Sequence, residues 1–205
     1  MKILELFAGS RSFSKVAEKL GHQVYTTDYE SFDKIDQVCD IFDFNIDKML
    51  DEFGMPDVIW ASPPCTYFSV SSIGYHWNKD HTPKTKQAEL GIKIVQETNY
   101  IIKMLKPKYF YIENPRGKLN IITQDGFLRR TVWYCQYGET RAKPTDIWTN
   151  DWMWIPRNPC HNGNKNCTMN QHQEVAEQAL KELKLLMIKA KFQKNYVKKY
   201  YYQFN

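Results

Sequence analysis

Short apolar runs recur along this chain, and each stops on a turn residue or on a side chain capable of chemistry. KILELFAG ends at Gly9, HQVYTTD at Asp28, QVCDIFD carries Asp40, PDVIWASPP leads into Cys65, and YFYIENP contains Glu113. Between the first two runs, SFSKVAEKLGH sets Phe13, Val16, Ala17 and Leu20 at helical spacing before Gly21. Before the last, Ala88 to Leu105 reads as a helix with Leu90, Ile94, Ile101 and Leu105 on one side, closed by Pro107. Strands alternating with helices predict an α/β chain with a mostly parallel sheet flanked by helices. Further on, RRTVWYCQYG and DIWTN read as late strands and PRNPCHNGNKNCTMN as turn-rich. Residues 174–194 read as a C-terminal helix with Ala176, Ala179, Leu180, Leu183, Met187 and Ala190 on its apolar face. Nothing in the 205 residues looks like a linker, so residues 1–205 are expected to form a single domain.

Composition narrows the function classes. Aromatic residues make up 15% of the chain and no low-complexity tract or solenoid-length repeat occurs, which argues for a folded core. Glu5 interrupts the first apolar run and nowhere do eighteen apolar residues follow one another, so neither a signal peptide nor a membrane span is expected. Five irregularly spaced cysteines are not a disulfide framework; reduced cytoplasm is the expected location. The formal charge of +5 is mild, but the C-terminal KELKLLMIKAKFQKNYVKKYYYQFN mixes lysines with tyrosines. Such a mixture suits phosphates and stacked bases, or is the solvated face of an ordinary helix.

In open α/β sheets ligands bind at the carboxyl ends of strands, which is where Gly9, Asp28, Asp40, Cys65 and Glu113 fall. A strand, a glycine turn, a helix and an acidic residue about 20 positions on form a layout that holds a nucleoside through backbone approach and a ribose-binding carboxylate. Gly9 and Asp28 fit it. Arg11 and Ser12 stand where a dinucleotide fingerprint would continue with glycine, so a cofactor without phosphates fits better. A free cysteine is most often a small buried residue. Cys65, however, follows Pro63 and Pro64, which fix φ, remove two donors and cannot continue a central strand, so the thiol is aimed over the strand ends.

PPCTYFS resembles the Pro-Cys block of the DNA (cytosine-5) methyltransferase family, and ELFAGS, YIENPRG and YGETRAKP resemble, in order, its methyl-donor turn, its Glu-Asn block and its basic block. The likeness covers roughly Lys2 to Asn150 and implies a Rossmann-like S-adenosylmethionine-dependent methyltransferase fold. It implies that Cys65 adds to C6 of a flipped-out cytosine in DNA, that Glu113, oriented by Asn114, bonds ring N3 and the exocyclic amine, and that C5 takes the methyl group before the cysteine leaves. In the donor site it assigns Phe7, Ala8, Gly9 and Ser10 to the methionine and ribose side, Asp28 and Tyr29 to the ribose and an adenine face, Asp40 and Ile41 to the adenine, and Pro63 to the wall beneath the sulfonium. SVSSIGYHWNKDHTPKTK falls where the family has a mobile loop that closes over the base.

The chain also departs from the family pattern. Arg141 and Lys143 occupy the basic block without its glutamine, and Arg141 is taken as the cation beside the base. Residues 151–173 form only a reduced recognition-like segment, so specificity is expected to be short, relaxed or supplied by a partner protein, and RNA is a variant substrate. Cys160, His161, Cys167 and His172 carry zinc-type ligand atoms at a spacing that matches no common zinc motif, and no metal is expected. Two other readings stay open. One is an N4-cytosine or N6-adenine amino-methyltransferase using Ser62-Pro63-Pro64; the other is a non-catalytic nucleic-acid-binding protein that retains the fold.

Overall fold

The computed structural model describes residues 1–120, 126–139 and 143–160. Its strands are β1 (Lys2–Leu6), β2 (Gln23–Asp28), β3 (Gln37–Val38), β4 (Val58–Ala61), β5 (Tyr109–Pro115), β6 (Leu128–Trp133) and β7 (Pro144–Thr149). The helices are α1 (Ser14–Lys19), α2 (Ile46–Glu52), α3 (Ile73–His76) and α4 (Lys86–Leu105). The strands form one sheet in the order β3-β2-β1-β4-β5-β7-β6. β1 to β5 pair in parallel, and β7 runs antiparallel to both of its neighbours. The expected mostly parallel sheet with helices is therefore present, as a Rossmann-like methyltransferase fold with one reversed strand.

Alternation along the strands feeds two apolar layers. Leu4, Leu6, Ile59, Ala61 and Ile112 pack with Met49 of α2 and with Ala88, Val95, Ile101 and Leu105 of α4. Ile3, Val58, Trp60 and Tyr111 point to the other face and pack with Phe13 and with Ala17 of α1. Because both faces are covered, the central strands are apolar at nearly every position, as parallel sheets require. Trp60 anchors the second layer by stacking on Phe13, with ring centroids 4.7 Å apart and planes at 11°.

Three local expectations change. QVCDIFD does not extend as a strand: β3 is two residues long, and the Asp40 side chain accepts from the Phe42 N–H at 3.1 Å, turning the chain into a 3-10 turn at Ile41–Asp43. On α4, Leu90 is exposed, and the buried face runs through Ala88, Gly91, Val95, Thr98 and Ile102. Small residues hold that face because the neighbours supply the bulk: a Cβ at Gly91 would lie 3.0 Å from ring atoms of both Tyr67 and Phe68. RRTVWYCQYG is strand only to Trp133 and then coils into a 3-10 turn at Tyr134–Tyr137. In WTNDWMW, Trp148 and Trp154 are buried and Trp152 is exposed. Asp151 accepts from the Tyr111 hydroxyl at 2.8 Å and so ties this stretch to the sheet. The C-terminal helix expected at 174–194 and most of the 151–173 segment lie outside the described residues. No described helix is long and apolar enough to cross a membrane.

Candidate active site

The carboxyl ends of β1, β2 and β3 frame a pocket that is partly open to solvent and lined by Phe7, Thr27, Asp28, Tyr29, Cys39, Asp40, Ile41, Pro64 and Ile94. Its floor is the turn after β1. Phe7, Gly9 and Arg11 all have left-handed backbones, with φ of 60°, 49° and 58°. Such angles in non-glycine residues cost about 1–2 kcal/mol each and concentrate at functional sites. The turn is held from β2, where the Ala8 N–H donates to the Thr27 carbonyl at 3.0 Å and the Gly9 N–H donates to Asp28 Oδ2 at 2.8 Å. Asp28 Oδ1 accepts from the Glu30 N–H at 3.0 Å. Each Asp28 oxygen therefore keeps a lone pair for a hydroxyl donor.

The donor set of this pocket suits a nucleoside bearing positive charge. Phe7, Ile41, Pro64 and Ile94 offer apolar walls to a planar base, Asp28 and Asp40 offer carboxylates, and among the described residues none that line the pocket is a Lys or Arg that would hold a phosphate. Arg11 is turned away into α1, where it pairs with Glu18 at 2.5 Å. Burial pushes the Cys39 thiol above its usual range, so Cys39 lines the pocket as a neutral, weakly polar wall. Of the residues assigned to the donor from sequence, Phe7, Asp28, Tyr29, Asp40 and Ile41 line the pocket; Gly9 adjoins it through Asp28, and Ala8 through its bond to Thr27. Ser10 is exposed on the same turn and does not line the pocket. Pro63 is buried with its carbonyl turned to β5, and Pro64 contributes the wall instead.

A second cluster forms where β4 and β5 end side by side, with Ala61 opposite Ile112. Past Ala61 the chain runs through Pro63 and Pro64 to the half-buried Cys65, whose carbonyl accepts from the Phe68 and Ser69 N–H groups, both at 3.0 Å. From β5, fully buried Asn114 donates through Nδ2 to the Pro63 carbonyl at 2.9 Å. That bond fixes Glu113, the preceding residue, relative to Cys65. A second tie lies just beyond: the Lys118 N–H donates to the Phe68 carbonyl at 2.7 Å. The backbones approach so closely there that a Cβ at Gly117 would lie 2.1 Å from the Phe68 oxygen. The half-buried Glu113 accepts through Oε1 from the Tyr134 hydroxyl at 2.9 Å. The Ser62 hydroxyl is engaged by the Trp60 indole N–H at 2.9 Å.

The segment after Cys65 packs on this cluster. Trp77 is buried and donates from its indole to the Tyr67 carbonyl at 2.7 Å. The buried Lys118 ammonium lies 5.2 Å from the Trp77 ring centroid and donates to His81 Nδ1 at 2.6 Å. Thr85 caps α4 by accepting from the Ala88 N–H and also bonds His76 Nδ1 at 2.7 Å. Arg141, His161, Cys167 and His172 lie outside the described residues, and Cys160 is buried. Sequence reasoning missed Thr27 and Cys39, although each adjoins a strand-end acid. It also missed Ile94, Tyr134, Gly117 and Lys118, which reach the site from elements whose packing leaves no local pattern.

The family model for C-5 cytosine-specific DNA methylases matches residues 1–124. A protein of Frog virus 3 (isolate Goorha), named as a probable DNA (cytosine-5)-methyltransferase, is 34% identical over 164 residues, which span 77% of this chain and 74% of that protein. A crystal structure described as a DNA modification methyltransferase encoded within an E. coli prophage superposes with a TM-score of 0.50 at 16% identity. That match covers 73% of this chain and 46% of the other, so this chain spans about half the length of that structure.

Proposed function

The chain belongs to the C-5 cytosine-specific DNA methylases, and from that premise we propose that it methylates cytosine at C5 in DNA, with Cys65 as nucleophile, Glu113 as base-polarising acid and S-adenosylmethionine as donor. One observation carries the reading. Asn114 binds the Pro63 carbonyl across adjacent strand ends, and so holds the thiol-bearing and carboxyl-bearing blocks in one constellation.

Each role follows from elementary chemistry. The Cys65 thiolate forms a bond to C6, the C5–C6 π pair shifts toward C4, and the C4–N3 π pair moves onto N3, which takes the proton of Glu113. C5 is thereby left as an enamine carbon, a nucleophile the aromatic ring lacks. After methylation, loss of the C5 proton re-forms the C5–C6 double bond and expels the cysteine thiolate, and N3 returns its proton to Glu113, which restores the ring. Such attack cannot occur on a stacked base, so the cytosine is extruded into the cluster. Asp28 would hold the ribose hydroxyls, Asp40 the adenine amine, and Phe7, Ile41 and Pro64 the planar ring. When bound there, S-adenosylmethionine supplies an electrophilic methyl group.

Family membership displaces the amino-methyltransferase reading of Ser62-Pro63-Pro64. The test is nucleoside mass spectrometry of cytosine-containing DNA incubated with the protein and S-adenosylmethionine. The reading expects 5-methylcytosine. N4-methylcytosine would return the chain to the amino-methyltransferases, and donor binding with no methylated base would identify a non-catalytic binding protein.

A further inference from the structure

Tyr134 contacts the candidate acid from an unexpected direction. It opens the 3-10 turn after β6, and β7 lies between β6 and β5. Pairing nevertheless puts the two side chains on one face of the sheet. Glu113 lies opposite Ile147, Pro115 opposite Thr145, and Thr145 in turn opposite Val132, two residues before Tyr134. From there the phenol crosses β7 and delivers its O–H to Glu113 Oε1 at 2.9 Å.

Three features make this donor more than a convenient neighbour. The Tyr134 ring is 5% exposed and belongs to the apolar layer with Val132, Ile147 and Trp154, where a phenylalanine would pack as well. Burial and the Glu113 and Glu139 carboxylates push its hydroxyl well above the ordinary tyrosine range, so it stays a protonated phenol that donates to a Glu113 carboxylate. The Lys143 ammonium sits over the ring, 5.6 Å from its centroid, and so leaves the hydroxyl's bond to Glu113 in place. A carboxylic acid so held has one oxygen fixed and the other oriented. A neutral donor on Oε1 also bonds more strongly as negative charge develops there, which is when the proton passes to N3.

We infer that Tyr134 is a positioning residue for Glu113, fixing Oε1 so that Oε2 faces N3 and the exocyclic amine of the extruded cytosine. The inference rests on Glu113 as the base-polarising acid. A purely structural tyrosine would affect stability when changed. A positioning tyrosine also moves the titration of Glu113: its hydrogen bond favours the carboxylate, so removing it raises the pH at which Glu113 loses its proton. Because the acid works protonated, the alkaline limb of the pH–rate profile then shifts upward.

The experiment measures kcat against pH at saturating DNA and S-adenosylmethionine for the wild type and Tyr134→Phe, with donor affinity and thermal denaturation alongside. Tyr134→Phe is expected to lower kcat by about tenfold, to leave the KM for DNA and the donor Kd within about twofold, and to displace the alkaline limb to higher pH. Replacement of Tyr134 by 3-fluorotyrosine keeps the shape and strengthens the donor, so that limb moves to lower pH; this second variant decides the matter if the phenylalanine protein fails to fold. A phenylalanine variant with wild-type kcat and an unmoved limb, or a fluorotyrosine protein with an unmoved limb, overturns the inference alone. A wild type that makes no 5-methylcytosine overturns the proposed function and this inference with it.

Discussion

The pocket at β1–β3 and the cluster at β4–β5 are built on different principles. In the pocket the polar groups are held within one βαβ unit or one turn: Asp28 by the backbone N–H groups of Glu30, two residues on, and of Gly9 at the end of the paired strand, and Asp40 by the Phe42 N–H two residues on. In the cluster the bonds that join one block to another cross between separate elements of the sheet and its loops. Asn114 reaches Pro63 across 51 positions, Lys118 reaches His81 across 37, and Tyr134 reaches Glu113 across 21. A donor molecule can be recognised by one turn and one strand end. Covalent attack on a base needs a nucleophile and an acid in fixed mutual geometry, and that geometry comes from strand pairing and ties between the loops.

If that division holds, changes on the two sides separate into effects on rate and effects on donor affinity. Cys65→Ala removes the nucleophile and should lower turnover by roughly 10⁵-fold or more, while calorimetric titration shows S-adenosylmethionine bound as in the wild type. Gly117→Ala should come next. Its Cβ would collide with the Phe68 carbonyl, a backbone atom that cannot swing aside, so the two catalytic blocks must part. We expect kcat to drop about 10²-fold and thermal stability to fall by about 1–3 kcal/mol, again with donor affinity retained.

Asp28→Asn acts on the other side. It should weaken donor binding by about tenfold or more through a lost charge-assisted bond to the ribose, with kcat at saturating donor nearly unchanged. Asp40→Asn should be the smallest change, a few-fold in donor Kd, since the residue is exposed and its amide oxygen can still cap the Phe42 N–H. A mutant that moved both quantities together would break the division.

The same contrast explains what the sequence made legible. KILELFAG, HQVYTTD and PDVIWASPP disclosed their strands because parallel sheets need continuous apolar runs, and YFYIENP coincides with β5. Gly9 and Asp28 could be read because the turn and the acid lie within one βαβ unit. Cys65 and Glu113 became visible through two prolines and a block likeness, without any sign of what holds them. Gly117, Lys118 and Tyr134 were invisible, since a glycine beside a lysine or a tyrosine after a strand carries no pattern until β7 is inserted between β5 and β6. The α4 face was misread toward Leu90 for a related reason: its true partners, Tyr67 and Phe68, favour small residues there, and size-based reading looks for large ones.

In the proposed mechanism Cys65 bonds to C6 while the cluster holds the ring. The most direct measurement uses a duplex bearing 5-fluorocytosine, whose C5 has no proton to lose after methylation, followed by peptide mapping of the protein–DNA adduct by mass spectrometry. A stable adduct is expected to form only with S-adenosylmethionine present and to be carried by the peptide containing Cys65. An adduct on Cys39, Cys135 or Cys160, or production of 5-methylcytosine with no trapped adduct at all, would contradict that mechanism.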